Sequence, residues 1–210
     1  MTDTPGLRER KKQRTRTAIS EAAIALFLDR GFDRVSVAEI AEAAEVSKRT
    51  LFAYFPAKED LVVHRFADHE TEAARVVRAR PPGTAPLDAL RAHFLDALGR
   101  RDPFTGLNDS PAVRDLYRML LATPALVARL GRFRTAAERG LAEALCETAD
   151  ASPLPARLAA AQLVAVHWVL TLDNAEALTA GQSADARHPA AREAAERAFA
   201  LLARGLGDLS

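Results

Sequence analysis

SVAEIAEAAEVSKRTLFAYFPAKEDL, residues 36–61, decides how the rest of the chain is read. Ser36 and Glu39 stand at the S-x-x-E spacing of a capping box, immediately before Ile40. A helix therefore starts at Ser36 and runs to about Ala44. A second helix starts at Ser47 and stops before Pro56, because proline disfavours helical geometry in the residue before it. That second run is only about two turns long. It nevertheless carries Lys48, Arg49, Phe52, Tyr54 and Phe55, with Lys58 just beyond. A helix that only packed inside a protein would show apolar residues on its contact face. This one is cationic, hydrogen-bonding and aromatic, which suits a partner outside the chain.

Two short helices joined by a tight turn make a helix-turn-helix, whose second helix enters the DNA major groove led by its N-terminal residues. Ile40, Ala41, Val46, Leu51 and Phe55 are spaced to form the small core between the two helices. Ser36 and Ser47 open their helices and can offer hydroxyl and backbone N–H groups to phosphates. Lys48, Arg49 and Thr50 head the recognition helix, and Arg49 has the fork that spans guanine O6 and N7. Phe52 shares the exposed face, and Tyr54 is placed for a phosphate or a thymine methyl. Lys58 is expected to grip the phosphate backbone. Upstream, RERKKQRTR (8–16) holds six positive charges and one negative. Such a cluster attracts phosphate or reaches a minor groove, with Arg16 its last cation. Residues 1–11 are expected to form a disordered basic arm.

These residues resemble the DNA-binding domain of the TetR family of bacterial transcriptional regulators. The likeness is carried by Gly31-Phe32, Ser36, Ile40-Ala41, Ala44, Val46-Ser47, Thr50-Leu51-Phe52, Tyr54-Phe55 and Lys58-Glu59-Asp60-Leu61. It covers about residues 12–62. It implies a helix-turn-helix domain over 12–72, a divergent effector-binding and dimerisation domain over 73–210, and a homodimer. The dimer it implies forms through a bundle of the last two long helices of each subunit. One position departs. The family pattern has glycine at the turn, where this chain has Glu45. A positive φ there costs a side-chain-bearing residue about 1 kcal/mol, and the carboxylate adds negative charge near DNA.

Composition agrees with an all-α fold. The 210 residues are 49% hydrophobic and 27% charged, an ordinary globular balance. Alanine occurs 45 times and glycine ten, favouring helices over strands. The single cysteine, Cys146, excludes an internal disulfide framework. No apolar run follows the N-terminal charges. The longest apolar stretch, about 158–172, contains Gln162 and His167 and is shorter than the roughly 20 residues a bilayer needs. A cytoplasmic protein with no membrane partner is expected.

Periodicity places a first helix over 14–30 and a long helix over 57–80. The body then holds helices over 86–101, 112–122, 124–148, 156–180 and 190–206, with 180–189 a linker. The fold expected is a three-helix DNA-binding domain followed by a five- to six-helix body. Residues 156–180 are apolar nearly all round. The last helix presents Ala191, Ala194, Ala198, Leu202 and Leu206 on one face, which suits close helix packing within or between chains. An effector pocket is expected among Phe94, Leu98, Phe104, Tyr117, Leu120 and Phe133, with His167, Trp168, Thr171 and Asn174 on the long apolar helix. Each of these also suits plain core packing. Such a lining favours a hydrophobic or amphipathic effector: an acyl chain, a terpenoid or a drug-like aromatic. No catalytic or phosphate-binding motif occurs, His64 and His69 are poorly spaced for a metal, and no cofactor is expected.

The sequence thus points to a non-enzymatic, dimeric, ligand-released repressor binding a pseudo-palindromic operator in double-stranded DNA. An activator or effector-independent regulator, or an all-α small-molecule-binding protein with a vestigial helix-turn-helix, remain the alternatives.

Overall fold

A computed structural model describes residues 6–204. All regular structure among these residues is helical: α1 (Leu7–Arg30), α2 (Val37–Ala43), α3 (Lys48–Tyr54), α4 (Asp60–Val63), α5 (Ala67–Glu70), α6 (Glu72–Ala79), α7 (Pro86–Gly99), α8 (Pro111–Ala122), α9 (Pro124–Thr148), α10 (Pro153–Thr179) and α11 (Ala184–Arg204). Short 3-10 turns lie at Phe32–Arg34, His64–Phe66 and Pro103–Thr105.

The chain divides into two compact units. The first runs through Arg65 and includes Met119–Leu130; the second holds Phe66–Arg118 and the chain from Gly131 onward. The continuous division expected at 72/73 is therefore replaced by one at 65/66, with the end of α8 and the start of α9 belonging to the first unit.

In the first unit, α1 buries Ile19, Ala23 and Phe27 at helical spacing, beside Ile40 and Ala41 of α2, Leu51 of α3 and Phe55. The Phe27 and Phe32 rings lie 4.8 Å apart. Ser20 donates its hydroxyl proton to the Leu61 carbonyl at 2.6 Å, which satisfies this buried hydroxyl. Asp60 accepts from the Ala57 N–H at 3.1 Å and from Arg129 Nε at 2.6 Å, tying α9's first turns to α4.

In the second unit, α11 packs on α7 and α10. Its buried face is Ala191, Ala195 and Phe199, with Ala194, Ala198 and Leu202 partly buried against the same core; Leu206 lies outside the described residues. The 3-10 turn at Pro103–Thr105 is pinned to α10. Thr171 donates to the Phe104 carbonyl at 3.1 Å, and the Asn174 amide to the Thr105 carbonyl at 3.0 Å. Gly106 has φ +71°, and a Cβ there would lie 2.0 Å from the Thr171 carbonyl oxygen, so only glycine fits this approach.

Three sequence expectations change. The basic arm is not disordered from Leu7 onward: α1 includes it, since Arg, Lys, Gln and Glu are good helix formers. The long helix expected over 57–80 is broken into α4, a 3-10 turn, α5 and α6. α11 starts at Ala184 and contains Pro189, so most of the expected linker is helix. α10 is 27 residues long, exceeding the apolar stretch seen in sequence, and has the length and composition of a membrane-crossing helix. A core or interface helix of a soluble protein has the same properties.

Candidate functional site

The helix-turn-helix is built by its caps. Ser36 accepts from the Glu39 N–H at 3.3 Å, and the Glu39 carboxylate accepts from the Ser36 N–H at 2.8 Å, closing the expected capping box. Glu39 also pairs with Arg30 of α1. Those backbone and side-chain hydrogen bonds from Ser36, with help from Arg30, hold the Glu39 carboxyl below its ordinary range. α2 ends in a Schellman motif. The Val46 N–H donates to the Ala41 carbonyl at 2.9 Å and the Glu45 N–H to the Glu42 carbonyl at 3.0 Å. The residue this motif places in the left-handed region is Glu45, at φ +53°. The expected strain at the missing glycine is present.

α3 is capped by Ser47, which accepts from the Thr50 N–H at 3.0 Å; the two hydroxyls also meet at 2.8 Å. Both opening serines therefore spend their hydroxyls as caps. Of α3 itself only Leu51 is buried. Lys48, Arg49 and Phe52 stand in solvent, Phe52 at 49% exposure, while Thr50 and Tyr54 are half-buried. Arg10, Lys11, Lys12 and Arg14 of α1 are also exposed. Arg16 lies over the Phe55 ring, 5.3 Å from its centroid. Lys58 is not free for a partner as expected. Its ammonium donates to the Phe32 carbonyl at 2.5 Å and sits 4.4 Å from the Phe32 ring centroid and 5.3 Å from that of Phe27. Apolar ring faces with a carbonyl among them hold a cation more firmly than solvent on this surface does.

The second unit contains a cavity with about 700 Å³ of atom-free space, counting its open mouth. Phe94, Phe104, Phe133, His167 and Trp168 are among the residues that line it. Leu98, Tyr117, Leu120, Thr171 and Asn174 do not. Leu98 is buried in the core of the second unit and Leu120 in the first unit. Tyr117 donates its hydroxyl proton to the Pro103 carbonyl at 2.9 Å, and burial pushes its phenol pKa up. Thr171 and Asn174 are committed to the turn that carries Phe104.

Sequence reading missed the polar end of this cavity. Glu72 of α6 accepts from His69 at 2.7 Å and pairs with His93 of α7 at 3.0 Å. Burial raises the Glu72 carboxyl pKa, but the hydrogen bonds and charges of the two imidazoles outweigh it and hold the carboxyl well below its ordinary range. His69 stacks on Phe104 with centroids 4.1 Å apart and planes 6° from parallel. The His167 ring lies 4.9 Å from Phe94 and 5.0 Å from Phe104. Its Nε2 is sealed from solvent and has no hydrogen-bond partner. Burial pushes the His167 pKa down to about 4, against the pull of the Glu72 carboxylate. The i,i+3 spacing of His69 and Glu72 was visible in sequence, but nothing there placed His93 beside them. No group of three metal-ligating side chains occurs among the described residues.

Residues 19–64 match the family profile described as bacterial regulatory proteins, tetR family. The transcriptional regulator TcmR of Streptomyces glaucescens is 36% identical over 125 residues, 59% of this chain and 55% of TcmR. The putative mycofactocin biosynthesis transcriptional regulator MftR of Mycobacterium tuberculosis is 34% identical over 121 residues, 57% of this chain and 58% of MftR. The chain thus spans little more than half the length of these two relatives. The crystal structure of Thermus thermophilus FadR, a repressor in complex with lauroyl-CoA, superposes with a TM-score of 0.55 at 24% identity, covering 91% of this chain and 94% of that one. At that identity the likeness concerns the fold.

Proposed function

Since this chain belongs to the tetR family of bacterial regulatory proteins, we propose that it is a sequence-specific DNA-binding transcriptional regulator, a repressor released by a small ligand held in the second unit. The observation that carries the reading is α3: a Ser47-capped helix that buries Leu51 and leaves Lys48, Arg49 and Phe52 in solvent. Arg49 reads a guanine edge. Lys48, Tyr54 and the N–H groups behind Ser36 and Ser47 meet phosphates. Arg10–Arg16 add sequence-independent attraction. Lys58 orders the Phe27–Phe32 corner that supports α3 rather than touching DNA.

The functional species in this reading is a homodimer. α10 exposes Leu154, Leu158 and Val169 at 63%, 56% and 64%, one apolar stripe at helical spacing. Burying that stripe on its two-fold mate fits a tetR-type dimer and sets two α3 helices in successive major grooves, roughly 34–36 Å apart. The ligand is hydrophobic or amphipathic, as the aromatic lining of the cavity favours; FadR is a repressor crystallised with lauroyl-CoA. Its binding shifts the dimer away from the operator-matching spacing, a coupling of about 1–3 kcal/mol.

The test is a mobility shift on DNA from just upstream of the chain's own gene, at low and high salt, with Arg49→Ala in parallel. A salt-sensitive shift lost in the variant supports specific readout. A shift that the variant shares reduces the reading to non-specific attraction by the α1 cations. No shift at low salt favours an all-α ligand-binding protein whose helix-turn-helix no longer functions.

A further inference from the structure

We propose that the cavity of the second unit takes a planar aromatic ligand bearing an uncharged hydroxyl, seated against His167. This rests on the reading of that unit as a ligand-binding body and names the chemistry it selects.

Three features of the cavity carry the inference. First, its walls are flat. Phe104 and His69 are stacked within 6° of parallel, and Phe94, Phe133 and Trp168 add ring faces and edges. Offset and edge-on ring contacts favour a rigid planar ligand over a flexible chain, which loses more rotational freedom on binding. Second, His167 supplies a hydrogen-bonding atom with nothing to bond. Its Nε2 is sealed off and unpartnered among rings. A buried polar atom left unsatisfied is costly, so a ligand hydroxyl that displaces the edge of a neighbouring ring and reaches it gains the bond formed and removes the defect. A hydroxyl suits this atom best, because it both donates and accepts and so serves either neutral imidazole tautomer.

Third, the neighbouring charge argues against an acid. Glu72 lines the same cavity as a carboxylate, and its two oxygens are already engaged by His69 and His93. A ligand anion set against His167 meets that carboxylate across an apolar interior, where like charges are poorly screened. Burial also keeps the His167 imidazole neutral at physiological pH, so it offers an anion no compensating charge. The permanent cation on the lining, Arg134, is half-exposed and faces Glu138 at 3.6 Å, and the His69 and His93 imidazoles are spent on Glu72, so none of them is left for a ligand anion.

The experiment is calorimetric titration of the full chain at neutral pH with naphthol, naphthalene and naphthoate. Each is repeated on His167→Phe, which keeps a ring of similar size, and on His167→Gln, which keeps a hydrogen-bonding group. Naphthol is expected to bind about ten-fold or more tighter than naphthalene, and tighter again than naphthoate. His167→Phe should bind naphthalene as before and lose the preference for naphthol; His167→Gln should keep part of it. Should the phenylalanine variant fail to fold, the glutamine variant and the three-ligand ranking decide alone. Naphthoate binding as well as naphthol, or a naphthol preference that survives His167→Phe, overturns the inference and leaves a ligand-binding body intact. Failure of all three probes to bind also overturns the inference.

Discussion

Replacing Glu45 with glycine isolates a cost that the fold carries at its turn. Glu45 occupies the one left-handed position of the Schellman motif that ends α2, at φ +53°. An L-residue there is strained by about 1–2 kcal/mol relative to glycine. Glycine, in turn, enlarges the unfolded ensemble and gives back about 0.4–1 kcal/mol. The difference leaves Glu45→Gly more stable by about 1 kcal/mol. With a urea slope of about 2 kcal/mol per M, the midpoint rises by roughly 0.5 M. The assay is urea unfolding followed by far-UV circular dichroism, at matched protein concentration because the stability of the proposed dimer would depend on it. Glu45→Ala is the decisive control. It removes the carboxylate but keeps the Cβ, so it should gain little. If alanine stabilises as much as glycine, the cost at this turn is charge rather than backbone strain, and the reasoning fails. In mobility shifts both variants should bind DNA more tightly than the parent, since each removes a negative charge beside α3.

Other expectations follow from the same contacts. Gly106→Ala should destabilise the second unit by several kcal/mol, read as a collapsed thermal transition, because its Cβ meets the Thr171 carbonyl at 2.0 Å. Lys58→Ala should cost about 1–2 kcal/mol through the lost carbonyl hydrogen bond and ring contacts; an unchanged urea midpoint would return Lys58 to the DNA-facing role. His167 has a folded pKa of about 4, below the ordinary histidine value, so the unfolded chain takes up its proton first as pH falls. Its stabilising contribution is complete above about pH 6.5 and is lost progressively down to pH 4. Between pH 7 and pH 5 the parent should lose about 2 kcal/mol more than His167→Phe. Leu158→Asp should shift the sedimentation of the chain toward a monomer if the α10 stripe is the dimer contact.

Local signals were the legible ones. The capping box at Ser36 and Glu39, the Ser47 cap and the strain at Glu45 each depend on residues within a few positions of one another. Long-range effects were hidden. Residues 57–80 keep a helical apolar rhythm, yet the helix breaks where the chain leaves one compact unit for the other at Arg65–Phe66. There Phe66 turns its ring toward Phe104 and Tyr117, partners far along the chain. The expected linker over 180–189 is mostly helix, with Pro189 inside α11 although proline removes an intrahelical hydrogen bond. In the cavity the large aromatics were anticipated from size and spacing. The Glu72–His69–His93 cluster was not, because α6 and α7 bring it together across a turn whose geometry no periodicity encodes. Thr171 and Asn174, polar groups on an apolar helix, find their partners in the backbone carbonyls of the Phe104 turn, a contact 67–69 residues away in the chain.

Trp168 is the only tryptophan in the chain, and it stands on the cavity wall. The two tyrosines are divided between Tyr54 on α3 and Tyr117 in the second unit. Excitation at the red edge of protein absorption therefore addresses one indole in one compartment, with no background from the first unit. The colour and lifetime of that emission report on the surroundings of the α10 cavity wall. In a titration with both operator and ligand present, any optical change caused by DNA would be a signal that has crossed from one unit to the other, seen without a label.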